Sequence, residues 1–129
     1  MMMSADYAIA ARGQFKIGFN ETAIGITMPL AGQDIARARL TPAHFNLCLL
    51  LAEIQDPEGA LHAGFLNQLV DADELMNEAK QRAETYSKFD MNVFKQSKLS
   101  MHAKLLEDIE RNIRRDHEIN LATPIVKPE

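Results

Sequence analysis

Residues 5–29, ADYAIAARGQFKIGFNETAIGITMP, decide how this chain can fold. The segment FKIGF at 15–19 alternates apolar residues with a polar or small one, which is the period-two pattern of a half-buried strand. The segment DYAIAA at 6–11 is compatible with a strand before it, and the Arg-Gly-Gln between them can turn the chain. Glycines, threonines and a proline predict a loop with one helical turn over 20–32. We therefore expect two or three strands at the start of the chain.

After this stretch the pattern becomes helical. Residues 29–40 predict a short helix. Thr41 followed by Pro42 is a helix-start signal, because a hydroxyl caps the helix and proline at the first position loses no hydrogen bond. That helix should run to about Ile54 and be buried, since it is apolar on most sides. Asp56-Pro57 begins the next helix and Gly64 ends it.

The remaining elements follow from local signals. Residues 65–70 predict a short apolar strand. Asp71 with Glu74 resembles an acidic capping box ahead of a long helix, and Asp90 starts the last one. The segment Asp116-His117-Glu118 is interpreted as a solvated helix end, and a frayed tail is expected from Thr123. Two apolar stripes mark these helices, namely Leu75, Ala79, Ala83 and Tyr86, and then Met101, Leu105, Ile109 and Ile113. The second stripe is expected to form a core or subunit face and not a cofactor site.

Composition excludes several classes of protein. The chain has 129 residues, 47% hydrophobic and 25% charged, with a formal net charge of −4. This balance is that of a soluble globular domain and predicts no nucleic acid and no membrane as partner. The opening residues do not resemble a secretory signal, so the expected location is cytoplasmic. The single cysteine, Cys48, is predicted to be a buried, inert thiol.

The four histidines lack the spacing of metal ligands, so no metal site is expected. The glycines match neither GxGxxG nor GxxxxGK spacing, so no Gly-rich phosphate-binding loop is expected. Strands at one end followed by helices would leave sheet edges open. We therefore predict a homo-oligomer, larger in solution than the 14.5 kDa monomer.

The quoted stretch resembles the crotonase (enoyl-CoA hydratase/isomerase) family. Such chains carry an Asp-containing strand, a Phe-rich strand, a glutamate-bearing turn and an Ile-Gly-Ile segment ending at proline, as residues 6–29 do here. The turn Asn20-Glu21-Thr22 is similar to the Δ3,Δ2-enoyl-CoA isomerase branch. The later stretch LLLAEIQDPEGALHAGFLNQLVDADEL also resembles the family. The resemblance implies the C-terminal part of the fold, with the N-terminal half absent.

The chemistry that this resemblance implies is proton transfer next to a thioester carbonyl. Family members stabilise the enolate oxygen with two backbone N–H groups, while a carboxylate moves the proton. Glu21 occupies the position of that carboxylate. The second hydratase glutamate and both oxyanion donors would lie at or before Met1. No cofactor is implied, and a coenzyme A thioester is the substrate if the protein is active.

Each candidate residue also has a structural interpretation. From spacing alone Glu21 would be a solvated loop acid. Asn20 and Thr22 either orient the carboxylate and contact substrate or only form the turn. Gly25, also assigned to substrate binding, is expected with Gly18 to mark a close backbone approach or a positive φ.

The resulting prediction is an α/β fold, the C-terminal portion of a crotonase-like fold, with a few N-terminal strands followed by mostly α-helices. Residues 1–129 form one truncated domain, divided into strands and active-site turn (1–28), a helical region (29–122) and a tail (123–129). The expected function is that of an enoyl-CoA hydratase/isomerase-like protein. The alternative is a non-catalytic crotonase remnant that serves as an oligomeric binding or assembly module. The expected partners are acyl-CoA and either further copies of the chain, as a trimer or a multiple of it, or a complementing N-terminal half.

Overall fold

The computed structural model describes the backbone of residues 2–122 and the side chains of residues 2–119. Two short strands form a parallel pair, in which Ile9, Ala10 and Ala11 face Gln68, Leu69 and Val70. Parallel strands need a crossover connection, and three helices provide it here. In chain order the elements are β1 (Ile9–Ala11), α1 (Leu30–Arg39), α2 (Pro42–Leu49), α3 (Pro57–Ala63), β2 (Gln68–Val70), α4 (Leu75–Tyr86) and α5 (Met91–Ala122), with 3-10 turns at Met2–Ser4 and Thr22–Ile24.

The core lies between the strand pair and the crossover helices. Alanines at the helix contacts are fully buried, which allows close packing of the backbones, and Phe65 fills the largest part of the interior. The long helix α5 packs mainly along α1. The buried apolar residues that pack together in this core are Ala8, Ala36, Leu40, Cys48, Leu49, Ala60, Ala63, Phe65, Leu66 and Leu69, and Val70 is buried as well.

The helix-start signals in the sequence identify most helices correctly. Thr41 is the N-cap of α2 with Pro42 in its first turn, although the Thr41 hydroxyl contacts Nδ1 of His44 at 2.7 Å and caps no backbone N–H. The side chain of Asp56 accepts a hydrogen bond from the backbone N–H of Gly59 at 2.7 Å and caps α3, which ends at Gly64 with φ 97°. Asp90 caps α5 through the N–H groups of Asn92 and Val93. The fold class, an α/β portion dominated by helices, is confirmed.

Four local predictions are wrong. The segment 15–19 is not a ladder strand, because it pairs only at one antiparallel bridge, between Ile17 and Gln55. Helix α2 ends at Leu49, and the apolar residues after it are exposed, Leu51 by 67%. The side chain of Asp71 caps nothing, because a turn intervenes before α4. Asp116 is half-buried and hydrogen-bonded, not solvated.

The last apolar stripe was expected to form a core or subunit face. Leu105 and Ile109 are half-buried, whereas Met101 is 79% exposed and Ile113 is exposed. The buried residue of this helix is polar, Asn112. The stripe therefore does not form a core face within the described chain. The predicted tail from Thr123 lies outside the described residues.

Candidate functional site

The candidate carboxylate lies in a tight turn. The backbone carbonyl of Glu21 accepts hydrogen bonds from the N–H groups of Ile24, at 3.1 Å, and Ile26, at 2.8 Å. These bonds close the 3-10 turn Thr22–Ile24 over Glu21. The turn ends at Gly25, whose φ of 76° lies in the left-handed region. Non-glycine residues adopt that region only at a cost, which explains the glycine.

The segment before Glu21 is anchored to the core. The ring of Phe19 lies 5.7 Å from that of Phe65, which is 1% exposed. Ile17 and Gln55 exchange both backbone hydrogen bonds, at 2.9 and 2.8 Å. A Cβ atom on Gly18 would lie 2.6 Å from the Ile54 side chain. Gly18 therefore marks a close approach, whereas Gly25, with open space around it, marks a positive φ.

Glu21 itself is half-buried. Its Oε2 atom is shielded from solvent and has no hydrogen-bond partner among the described residues. Because a buried, unpaired carboxylate oxygen costs free energy, such atoms are rare and call for an explanation. This orphaned oxygen is the chemical feature that separates Glu21 from an ordinary loop acid.

The other predicted site residues are placed differently. The Thr22 hydroxyl donates to the carbonyl of Leu49 at 3.0 Å, so it ties the turn to the end of α2. The side chain of Asn20 is exposed, and its carbonyl accepts from Ile24. Thr22 and Gly25 meet at one cavity, and neither Asn20 nor Glu21 is part of its lining.

That cavity, of about 440 Å³, opens directly after Glu21 along the chain. Its walls come from the loop 22–28 and from α1 and α2. Most lining side chains are apolar, and Gln33 adds an amide that donates to the carbonyl of Met28 at 2.8 Å. The sequence analysis did not assign the other lining residues to a site, although the apolar residues of α2 were a signal for some of them. The residues concerned are Ile26, Met28, Gln33, Phe45, Leu49 and Leu50.

A second groove, of about 800 Å³, lies where residues 3–6 meet α1 and α5. Most residues that line this groove are apolar, and the basic side chains of Lys95 and Lys98 also line it. Lys98 forms a salt bridge with Asp6 at 2.6 Å.

In the part of the chain that the structure describes, no cluster of three His, Cys, Asp or Glu side chains could hold a metal ion. No helix among these residues has the length and apolar character to span a membrane.

Comparison with known proteins gives a consistent result. The family model described as enoyl-CoA hydratase/isomerase matches residues 1–126. A comparison with curated proteins found no significant match. Among solved structures, the chain is similar to an enoyl-CoA hydratase/isomerase family protein from Pseudomonas syringae. The identity is 42% and the TM-score 0.89, over 91% of this chain and 51% of that one.

Two further structures are more distant. The enoyl-CoA hydratase EchA3 from Mycobacterium ulcerans Agy99 is 27% identical with a TM-score of 0.84, over 91% of this chain and 51% of that chain. Human mitochondrial delta3-delta2-enoyl-CoA isomerase is 22% identical with a TM-score of 0.79, over 92% and 45%, and is evidence for the fold alone. The chain thus spans about half the length of these solved relatives.

Proposed function

Because the chain belongs to the enoyl-CoA hydratase/isomerase family, we propose that Glu21 transfers a proton next to the thioester carbonyl of an acyl-CoA. The observation that carries the proposal is the buried Oε2 atom of Glu21, which has no hydrogen-bond partner among the described side chains and backbone. A carboxylate oxygen kept from water and from protein donors is free to accept a proton from a substrate carbon. One such carboxylate is sufficient to move a double bond, since it can return the proton two carbons away.

The cavity that begins at Thr22, the residue after Glu21, is the feature that favours an acyl substrate. Its apolar lining, which includes Ile26, Met28 and Phe45, suits a hydrocarbon chain. Thr22 and Gly25 contribute to that lining, as substrate-binding residues would. Asn20, with its side chain in solvent, is retained only as a turn residue.

The enolate oxygen needs hydrogen-bond donors, and we do not propose that any of residues 2–122 supplies them. We assign them to the part of the family fold that the solved relatives carry beyond the matched half. The free edge of β1 supports docking there. The backbone carbonyl of Ala8 accepts a hydrogen bond from the N–H of Asn67, and the N–H of Arg12 donates to the carbonyl of Val70. The backbone groups of Ala8 and Arg12 therefore point toward β2. Alternate residues of a parallel strand point the other way, so the backbone groups of Ile9 and Ala11 face an edge that pairs with no further strand in the described part of the chain.

A homo-oligomer is the second partner proposal. The first half of α5 exposes large apolar side chains, including Phe94 and Leu99, on a helix that covers no core there. Contiguous exposed apolar surface is typical of an interface. Equilibrium sedimentation checks this, because an oligomer exceeds the 14.5 kDa monomer at micromolar concentration. A trimer and a cytoplasmic location stay predictions.

The function is tested on the isolated chain and on the chain co-expressed with the unmatched half of the Pseudomonas syringae relative. Both samples are titrated with an acyl-CoA and assayed for conversion of a 3-enoyl-CoA to a 2-enoyl-CoA. Glu21→Gln should lower turnover by about 100-fold or more, the usual worth of a general base. Glu74→Gln is the control, since Glu74 is exposed and its side chain caps nothing. Absence of binding and turnover in both samples would overturn the proposal and favour a non-catalytic module.

A further inference from the structure

The first turn of α1 is capped from the far end of the chain. Asp116, near the end of α5, accepts hydrogen bonds from the backbone N–H groups of Leu30 at 2.7 Å and Ala31 at 3.0 Å. The residue at the N-cap position is Pro29, which provides no side-chain cap. The first N–H groups of a helix have no partner inside it, and a carboxylate there also complements the helix dipole. Asp116 thus satisfies groups that the local sequence leaves open.

A second polar contact reinforces the first, one turn earlier on α5. The side-chain amide of Asn112 donates to the carboxylate of Asp34 at 2.6 Å. Asn112 is only 8% exposed. The two contacts are four residues apart on α5 and three to four residues apart on α1, so they lie on facing surfaces and fix how far α5 can slide along α1. Apolar packing alone would define that position less sharply, because it lacks direction.

The capped turn is also a wall of the cavity that Thr22 and Gly25 line. Met28 and Gln33, on either side of the capped residues, both line it. Gln33 donates to the carbonyl of Met28, so the two move together. A shift at the start of α1 would therefore change the cavity without any contact between Asp116 and a ligand.

We propose that Asp116 is a positioning residue, through which α5 holds the 26–33 wall of the candidate site in place. The role as part of a substrate site rests on the proposed function, but the holding itself is measurable without a ligand. If acyl-CoA does not bind, the positioning role of Asp116 is unaffected. If Asp116 has no positioning role, the proposed proton transfer by Glu21 is unaffected.

The test is amide hydrogen exchange of the whole chain, compared between the wild type and Asp116→Ala. Loss of both acceptor oxygens should speed exchange at Leu30 and Ala31 by about tenfold, the effect of losing a typical helix cap. It should also speed exchange at Ile26, whose N–H donates to the carbonyl of Glu21 at 2.8 Å. Asp56→Ala is the matched control, because it removes the cap of α3 instead. An unchanged rate at 26–31, or an equal increase in the control, would overturn the proposal.

A double variant separates positioning from simple capping. Pro29→Ser in the Asp116→Ala background gives α1 a local cap but no link to α5. We expect slow exchange to return within α1 while the N–H of Ile26 still exchanges several-fold faster than in the wild type. If the local cap restores both regions, Asp116 is only a cap and the positioning role is wrong. Where an acyl-CoA binds the wild type, the double variant should also bind it several-fold more weakly.

Discussion

The hydroxyl of Thr22 donates a hydrogen bond to the backbone carbonyl of Leu49 at 3.0 Å. Leu49 is in the last turn of α2, where carbonyls have no partner inside the helix. One side chain therefore joins the turn after Glu21 to the crossover helices and satisfies an open acceptor. The candidate site is attached to the core at this point.

Thr22→Val removes that hydrogen bond with little change in shape. We expect the free energy of unfolding to fall by about 1 kcal/mol, the typical net value of one hydrogen bond. Thr22→Ser is the control, because it keeps the hydroxyl and loses only a methyl group. Urea unfolding of the three proteins measures the difference. Equal stability of the valine variant and the wild type would show that the bond contributes nothing.

Gly25→Ala tests the backbone of the turn. A Cβ atom at Gly25 would meet nothing within 4 Å, so the expected cost is conformational and arises from φ 76°. Forcing alanine into the left-handed region should destabilise the protein by about 1–2 kcal/mol. Gly13→Ala is the matched control, since Gly13 also has open space but no positive φ. It should leave stability unchanged or slightly raised, and equal losses in both variants would contradict the argument.

The sequence predicted burial better than it predicted pairing. Phe15, Ile17 and Phe19 are half-buried and alternate with exposed neighbours, as the period-two pattern indicates. Ladder hydrogen bonds, however, depend on a second strand. Among the described residues, segment 15–19 has a single bridge partner, Gln55. Likewise the apolar pattern after Leu49 predicted a buried helix, because hydrophobicity does not reveal whether anything covers it.

The candidate site was predictable only in part. Glu21 was nominated from the motif around it, since a lone glutamate has no distinguishing pattern. The unpaired oxygen of Glu21 depends on the tertiary environment, which no local rule gives. Asp116 illustrates the limit further, because it lies 86 residues from the backbone N–H of Leu30 that it caps. In sequence it is simply one charge within a charged helix end.

Cys48 should react with alkylating reagents only when the protein unfolds. Its side chain is fully buried, and burial, followed by the nearby carboxylate of Glu53, raises the pKa of its thiol. The thiolate is the reactive form, so both effects slow alkylation. With iodoacetamide near pH 8 we expect labelling at least about 100-fold slower than in denaturant. Mass spectrometry follows the reaction, and fast labelling of the folded protein would show that α2 opens readily.

Asp108 on α5 should make stability depend on acid pH. The side-chain hydrogen bonds from Lys104, at 2.5 Å, and from Arg111 hold the pKa of Asp108 below its ordinary value. A carboxylate with a lowered pKa in the folded state stabilises the protein at neutral pH. That contribution is lost as pH falls through the lowered pKa, below the usual value of about 3.9. Asp108→Asn should therefore lower the melting temperature at pH 7 and have no effect at the acid end.

The effect should be small, because these groups are near the surface and salt screens them. Melting curves of wild type and variant between pH 7 and strong acid, at low and high salt, measure it. Glu107→Gln is the control on the same helix, since Glu107 is exposed and forms no salt bridge within the described side chains. A difference between wild type and Asp108→Asn that stayed constant across pH would mean that the asparagine acts through helix propensity. The charge of Asp108 would then be irrelevant to the stability of α5.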